Sequence, residues 1–523
     1  MPEPSVVLTA DETLTSTYRR IPLADFLGCV PYERVPKAVY KLLDTQLPHR
    51  DGVLVEAPYS LRKVEAALLE AGYRVVVAHP RHIHRFIGDS TAIVGISAMD
   101  PLGLGPVSTM FTAGVYTAYS AVKFRQLVSR IKRIRERRGL RFRIVVGGSG
   151  AWQLGGRLEE LGVDHIVVGE TEHVIGSLMQ EIAEGKAPSV IHVEGYPSVD
   201  EIPVIRGASY KGMVEAMRGC GRGCSFCTPN LRAARYIPLD KIKAEVEVNV
   251  RAGLEKAWVH GDDIFLYKLE DRRSFHPNTE AVVELFKEVV SIRGLRGANP
   301  THTSIAPVVA DRELLPKLSE VLKAGVGRWI GVQPGLETGS PRLVERHMGN
   351  KAKPFQPEEW PEVVLEATKL FNLSYWFPAY TLIVGLPGEE EEDCWLTARL
   401  IASMRRLRRS MGGRGHFTVT PLAYTPATPA SRGFRPLEDM TEARFHVIYQ
   451  AWLATAEEVQ RSVGMFTRGL VASMVVKPVL KLGAELILDH IRAWGRKMGY
   501  DPDKRIEPLD LPAHTPSIPL PRR

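Results

Sequence analysis

Short β-rich runs alternate with helical patterns in two successive stretches of this chain, which restricts it to parallel α/β architecture. The first stretch, residues 51–195, carries runs at Val53–Glu56, Arg74–Ala78, Ala92–Ser97, Arg143–Val146 and His165–Val168. Helical spacing fills the gaps: Leu61–Glu70 closed by Gly72, Tyr116–Arg138 followed by Gly139, and Glu172–Glu184 closed by Gly185. Glycine just past such a pattern stops a helix, because it takes the left-handed conformation without a Cβ penalty. The reading is an N-terminal doubly wound, flavodoxin-like domain over residues 51–195, preceded by an N-terminal extension over residues 1–50 that has no assigned unit.

Pro197 and Pro203 punctuate a polar stretch, and the alternation then resumes over residues 208–435. Strands are expected at Gly212–Ala216, Ala257–His260, Thr301–Ile305, Trp329–Gln333, Tyr380–Val384 and His416–Thr420. Six βα units predict an open, partial (β/α)6 barrel. Residues 436–523 read as a helical C-terminal region ending in an extended tail, from Ile506 through Pro508, Pro512, Pro516, Pro519 and Pro521. The rather apolar run Gly469–Leu488 is broken by Lys477, Pro478, Lys481 and Glu485, so it is expected to pack on the barrel, with membrane-surface contact as the other reading.

At 523 residues the chain needs more than one core, and 44% hydrophobic with 24% charged residues is an ordinary globular balance. No apolar run is long enough to span a bilayer and Met1–Ala10 lacks a basic n-region, so a cytoplasmic protein is expected. The net charge of +8, from 68 basic and 60 acidic residues, permits an anionic partner without requiring one. The basic run Arg130–Arg138 falls on the outer face of an amphipathic pattern formed by Ala121, Phe124, Leu127, Val128, Ile131 and Ile134, and reads as a solvated helix face. His82 and His84 read as exposed side chains on a short connection rather than a metal pair.

Five cysteines, three of them within eight residues, argue against a disulfide framework and for metal or cofactor chemistry. Cys29 and Cys394 stand alone and read as small buried hydrophobes. The other three lie in Arg218-Gly219-Cys220-Gly221-Arg222-Gly223-Cys224-Ser225-Phe226-Cys227, directly after the first strand of the second stretch. Glycines 219, 221 and 223 supply the backbone angles that a loop wrapping a cubane needs. Three thiolates satisfy three irons and leave a fourth open for a chelating amino and carboxylate group. Structural zinc is the alternative, but it takes four protein ligands and no fourth with paired spacing is present.

The CxxxCxxC spacing with Phe226 before the last cysteine resembles the radical S-adenosylmethionine (SAM) superfamily, and the likeness extends over residues 50–435. It implies a 4Fe-4S cluster on Cys220, Cys224 and Cys227, and reductive cleavage of SAM to methionine and a 5′-deoxyadenosyl radical. Further motifs fall where that family contacts SAM. Asp262 and Asp263, after the second barrel strand, match residues that hold the amino group, beside the aromatic Phe226. Gln333, Glu337 and Ser340, in the stretch Gly331–Ser340, match residues that read ribose and carboxylate. Ile383 and Gly385, in Thr381–Glu389, match the adenine-lining motif. Each alone is equally a plain strand-to-turn junction.

An α/β domain ahead of such a core resembles the cobalamin (B12)-binding subgroup, archaeal-type. Asp100-Pro101-Leu102-Gly103-Leu104-Gly105 follows the third run, where B12-binding folds carry DxHxxG; Asp100 and Gly105 fit, but Leu102 stands where the histidine ligand would be. The departure excludes the histidine-ligated mode, and radical SAM members of this fold bind the cofactor without it. Gly147, Gly148 and Ser149 resemble the turn that receives the nucleotide tail, and Gly169 and Glu170 another characteristic turn. A doubly wound domain with glycine-rich turns and no ligand is the plainer reading.

The resemblance implies an enzyme, a B12-dependent radical SAM methyltransferase acting on an unactivated carbon of a small-molecule or lipid substrate. It also implies an electron donor such as ferredoxin or flavodoxin. Cyclisation or carbon–carbon coupling on a hydrophobic substrate is one alternative. RNA modification is another, as in methylthiotransferases that share this core; those carry a second cysteine triplet and a C-terminal RNA-binding barrel, and neither is evident here, so a nucleic-acid partner is not expected. A non-catalytic corrinoid carrier would not need the SAM motifs.

Overall fold

The structure, a computed structural model, describes residues 4–18, 24–228, 233–426, 432–466 and 470–510. The first domain is built on six parallel strands: β1 (Val6–Ala10), β2 (Val75–Val77), β3 (Ile93–Ser97), β4 (Arg143–Gly147), β5 (His165–Val168) and β6 (Val190–His192). Their order across the sheet is β2-β1-β3-β4-β5-β6. This is a flavodoxin-like order with an added edge strand, and its switch point lies where β1 sits between β2 and β3.

Two expectations are corrected here. The sheet starts at Val6, inside the residues read as an extension, and all five residues of β1 are buried. A parallel strand covered on both faces shows a continuous apolar run instead of an alternation, and five residues are too few to declare a period. Conversely, Val53–Glu56 does not enter the sheet. Val53–Leu54 forms a small hairpin with His49–Arg50, and Glu56–Ala57 pairs in parallel with Ala208–Ser209, joining the first domain to the connector.

Alternate residues of the sheet feed two cores. Val6, Leu8, Ile93, Val145 and Val167 pack with helices Tyr59–Glu70 and Ile175–Ala183. Val7, Val94, Ile96, Ile144, Val146 and Ile166 pack with Phe124, Leu127, Val128 and Ile131 of helix Tyr119–Arg138. On that helix Arg133 and Arg137 are exposed, while Arg130, Arg135 and Arg138 donate to the carbonyls of Pro80, Phe142 and Ile87.

The second domain runs six parallel strands in sequence order: β7 (Met213–Glu215), β8 (Lys256–His260), β9 (Gly297–Pro300, continued by His302–Thr303), β10 (Ile330–Glu337), β11 (Trp376–Val384) and β12 (Thr418–Ala423). Along β11, Trp376, Tyr380, Leu382 and Val384 are buried while Phe377, Ala379, Thr381 and Ile383 are half-buried. That period of two is what a barrel strand shows when one face meets helices and the other a partly open interior. The strand expected at Thr301–Ile305 ends at Thr303, since Ala306–Ala310 is helical. The last strand starts at Thr418 because the His416 and Phe417 N–H groups donate to the Asn372 and Glu458 side chains, at 3.0 Å and 3.2 Å, instead of to a neighbouring strand.

Helices Glu442–Phe466 and Leu470–Lys497 form the C-terminal region, and Ile506 and Leu509 pack against the main core. Pro512, Pro516, Pro519 and Pro521 of the expected tail, and Gly469, lie outside the described residues. Among the described residues no helix is long and apolar enough to cross a membrane.

Arg408, of helix Glu391–Ser410, is fully buried between Glu457 and Glu458 and stacks over Phe417 at 4.7 Å. Burial alone would raise the Glu457 carboxyl, but the hydrogen bond from Arg405 and the charges of Arg405 and Arg408 lower it. A carboxylate whose folded pKa lies below its unfolded value stabilises the fold above the unfolded value near 4.5, and that contribution is lost as pH falls through the folded one. Glu457→Gln is therefore expected to lower the melting temperature at pH 7, with the gap to the parent narrowing as pH drops below about 4.5; thermal unfolding of both proteins across this range checks it.

Candidate functional site

The three clustered cysteines follow β7 at its C-terminal end. Met217–Arg218 pairs with Arg235–Tyr236, and the chain then turns through Gly219, Gly221 and Gly223 at φ of 68°, 76° and 72°. These left-handed angles are open to glycine and strained for most other residues. Burial raises all three thiols, Cys220 to about 12 and Cys227 to about 11, with Cys224 also raised. Three soft sulfur donors on one glycine-rich loop are the donor set of a thiolate-ligated metal centre. Cys394 is buried and Cys29 half-buried, and neither belongs to this loop.

The loop is braced by groups that follow β8 and β9 and by helix Pro341–Ala352. Ser225 donates its N–H to the His347 carbonyl (2.9 Å), and its hydroxyl meets His347 Nδ1 at 2.7 Å. His347 Nε2 lies 2.8 Å from the Pro387 carbonyl, which can only accept, so Nε2 carries the proton and Ser225 donates to Nδ1. Arg222 is 2% exposed, stacks over Phe275 at 4.9 Å, and donates to Asp263, the Ser304 hydroxyl and the Asn350 carbonyl. A cleft of about 710 Å³ opens beside the loop, lined in part by Arg222, Gly223, Ser225 and His347.

The residues matched to SAM binding divide by environment. Asp262 accepts the Gly219 N–H at 2.5 Å, and burial raises its carboxyl. Asp263 is buried and holds both Arg222 and Ser304, so it shapes the loop from behind. Glu337, at the end of β10 with φ of 64°, bonds Lys351 at 2.6 Å, and both charges act on the Cys224 thiol. Phe226 is half-buried against the main core, and Gln333 is exposed on β10. Ile383 is half-buried on β11, and the Gly385 N–H donates to Glu389 at 3.0 Å. Ser340 stands apart: it is fully buried, caps helix Pro341–Ala352 by accepting from Leu343 N–H, and donates to Asp393 at 2.5 Å. Its hydroxyl is committed to the fold. His260 and His302, with rings 5.5 Å apart, meet at the ends of β8 and β9, and no spacing links them in sequence.

In the first domain the turn after β3 comes beside the turn after β4, at the C-terminal edge near the switch point. Asp100 Oδ1 accepts from the Gly105 N–H (2.8 Å) and from Gln153 (2.9 Å), while its buried Oδ2 has no partner. Leu102 is half-buried and its N–H donates to Gln153; Gly103 passes close to Ala118. Gly147 ends β4, Gly148 and Ser149 begin the turn that follows, and at Gly150 a Cβ would fall 2.1 Å from the Met99 carbonyl. Met99 and Leu104 are 61% and 47% exposed beside this turn. An orphaned carboxylate oxygen, an open apolar rim and a backbone cradle together suit a large, flat, amphipathic ligand.

Gly169 follows β5, and Glu170 is not available to a ligand in the same way. Its carboxylate bonds Arg218 at 2.6 Å and Arg235 at 2.6 Å and 2.8 Å, tying the first domain to the cysteine loop.

Comparison with known proteins agrees with this geometry. The pattern of the Radical SAM superfamily matches residues 214–401. In sequence, the chain is 23% identical over 295 residues to the tRNA-2-methylthio-N(6)-dimethylallyladenosine synthase of Magnetococcus marinus, covering 55% of this chain and 62% of that protein. It is 26% identical over 248 residues to the Tropheryma whipplei protein of that name, covering 45% of each. The chain thus spans between about half and two thirds of these relatives' length. In structure it resembles TsrM from Kitasatospora setae, a radical SAM methyltransferase solved with tryptophan and a SAM analogue, at a TM-score of 0.51 and 14% identity over 81% of this chain and 75% of that one. The same protein with cobalamin and a [4Fe-4S] cluster gives 0.51 and 15%, covering 81% and 77%. Residues 214–401 match the Radical SAM superfamily, so this chain carries a radical SAM domain.

Proposed function

We propose that this radical SAM enzyme is a cobalamin-dependent methyltransferase acting on an unactivated carbon of a small molecule. In this reading the cluster sits on Cys220, Cys224 and Cys227, and the corrinoid lies against the Asp100–Gly105 and Gly147–Gly150 turns. When bound, the cluster and SAM supply the radical that removes a substrate hydrogen, and the corrinoid supplies a methyl carrier. The protein's part is orientation. Arg222 and His347 fix the loop, Asp262 holds its first amide, and the Glu337–Lys351 pair balances charge beside Cys224.

The observation that carries the reading is the contact between the first domain and the cysteine loop. Glu170, on a turn of the first domain, bonds Arg218, which immediately precedes Gly219 and Cys220. A radical generated at one site and a carrier held at the other would therefore share one wall, as proximity-driven chemistry needs.

The tRNA-modifying reading draws support from the sequence relatives, but a second cysteine triplet cannot be assembled, because Cys29 alone precedes Cys220. Full-length protein purified anaerobically with hydroxocobalamin and reconstituted with iron and sulfide is expected to retain about one corrinoid per chain. Cluster retention without corrinoid would overturn the B12 assignment while leaving the radical SAM domain intact. Tight binding of bulk tRNA with a steep salt slope would instead favour the RNA reading.

A further inference from the structure

A second group of potential ligands lies in the first domain, at the C-terminal end of the edge strand β2. His49, on the small hairpin, meets His79 and His82, on the turn that follows β2. Each offers a ring nitrogen within 4.8 Å of those of the other two, and the ring centroids are 4.5 Å to 5.4 Å apart. His79 is 1% exposed, and its Nε2 is buried without a hydrogen-bond partner. An orphaned nitrogen among two other imidazoles, with no carboxylate or carbonyl to satisfy it, is what a vacant coordination position looks like. We propose that His49, His79 and His82 form a binding site for a divalent first-row transition cation, with a fourth position open to water.

The surroundings hold the three rings together. The His79 N–H donates to the Gly52 carbonyl and the His82 N–H to the His79 carbonyl, at 2.8 Å and 2.9 Å, so hairpin and turn are registered by backbone. The hairpin passes so near that a Cβ on Gly52, at φ of 95°, would lie 2.8 Å from His82 Cβ. Arg81, at the rim, is already paired with Glu12 at 3.2 Å and Asp44 at 3.0 Å, so it adds little repulsion, and Arg85 also acts on His82. Burial and the two neighbouring imidazoles push His79 down to about 4, which keeps its ring neutral and able to donate a lone pair.

Metal–nitrogen bonds of about 2.0–2.1 Å in a tetrahedral site place ligand nitrogens roughly 3.3 Å apart, so the rings must close from their present separation. His49 is exposed and His82 half-exposed, and both can rotate toward the fixed His79. Coordination through Nε2 moves the His79 proton to Nδ1, which ends the 3.1 Å bond that Nδ1 accepts from the Arg81 N–H. Three neutral nitrogens without thiolate or carboxylate suit Zn²⁺, Co²⁺, Ni²⁺ or Cu²⁺ rather than Mg²⁺ or Ca²⁺. The bound ion would pin the hairpin to the sheet edge.

The test uses full-length protein with Cys220, Cys224 and Cys227 replaced by alanine, so that no metal can lodge in the cysteine loop. Equilibrated with Zn²⁺ and passed through gel filtration, it is expected to hold about one zinc per chain. Adding His49→Ala and His82→Ala should weaken Zn²⁺ at least tenfold in competition with a chromophoric chelator, and His49→Ala alone, at an exposed position, reports the same loss if the double variant does not fold. In the cysteine-intact, cluster-loaded protein, Zn²⁺ should raise the melting temperature and His49→Ala should abolish that rise. Equal zinc affinity with and without the histidines, or no zinc held by the cysteine-free chain, overturns the proposal. Neither result bears on the corrinoid or cluster assignments.

Discussion

Cys224→Ala protein is expected to carry little or no cluster iron and to cleave SAM at least about 10³-fold more slowly than the parent, the scale of loss on removing a group the chemistry cannot do without. The side chain is 7% exposed and lies between the other two thiols in sequence and under the influence of Lys351 and Glu337. Alanine leaves one iron without a protein ligand at a place where neither Cys29 nor Cys394 belongs to the loop. Because the loop is held independently by Arg222, Ser225 and His347, the fold should survive the loss of one sulfur. Iron and sulfide per chain, methionine release from SAM under reducing conditions, and circular dichroism separate loss of cluster from loss of fold. Cys29→Ala and Cys394→Ala should leave iron content unchanged. Full iron and undiminished cleavage in Cys224→Ala would remove the cluster assignment.

What the sequence reveals, and what it hides, follows from how local each feature is. The cysteine loop is legible because its spacing and its glycines are contiguous, and the φ angles of Gly219, Gly221 and Gly223 show why those glycines are there. Strands β3 to β5 are legible because each short β-rich run falls between helical patterns that mark the βα alternation, and the helix ending at Gly139 because its apolar pattern runs long enough to set a period. β1 is not, since five doubly buried residues carry no alternation, and Val53–Glu56 offers a similar apolar run that tertiary pairing diverts into a hairpin and a connector strand. Individual roles depend on distant partners. Glu170 looks like part of a ligand-binding turn until Arg218 and Arg235, 48 and 65 residues away, claim its carboxylate. Ser340 looks like a ligand contact until Asp393 and the helix start behind it take its hydroxyl. His49, His79 and His82 share no motif, and only the hairpin brings the first to the other two.

Arg218 is the position where stability and the site are most tightly bound together. Its guanidinium is 13% exposed and reaches three carboxylates, Glu170 at 2.6 Å, Glu172 at 2.6 Å and Glu215 at 2.8 Å. Burial on its own would discharge it, but the charges of Glu215 and Glu172 hold it firmly protonated. Replacing Arg218 by methionine keeps most of the stem but strands these carboxylates in a poorly solvated place, where Glu170 keeps an ion pair with Arg235 and Glu215 keeps the more distant charge of Lys63. Breaking a buried pair from one side costs on the order of 3–5 kcal/mol, far more than an exposed pair would. Arg218→Met is therefore expected to lower the denaturant midpoint markedly and, since Gly219 follows directly, to reduce cluster retention. Combining it with Glu172→Gln should recover part of the loss, because one stranded charge is then removed; non-additivity of about 0.5–3 kcal/mol is the expected scale for groups in one network. Midpoints for the parent, both single variants and the double variant close the cycle. Strict additivity would mean that Arg218 and Glu172 are not coupled and that the wall between the two domains is held by something else.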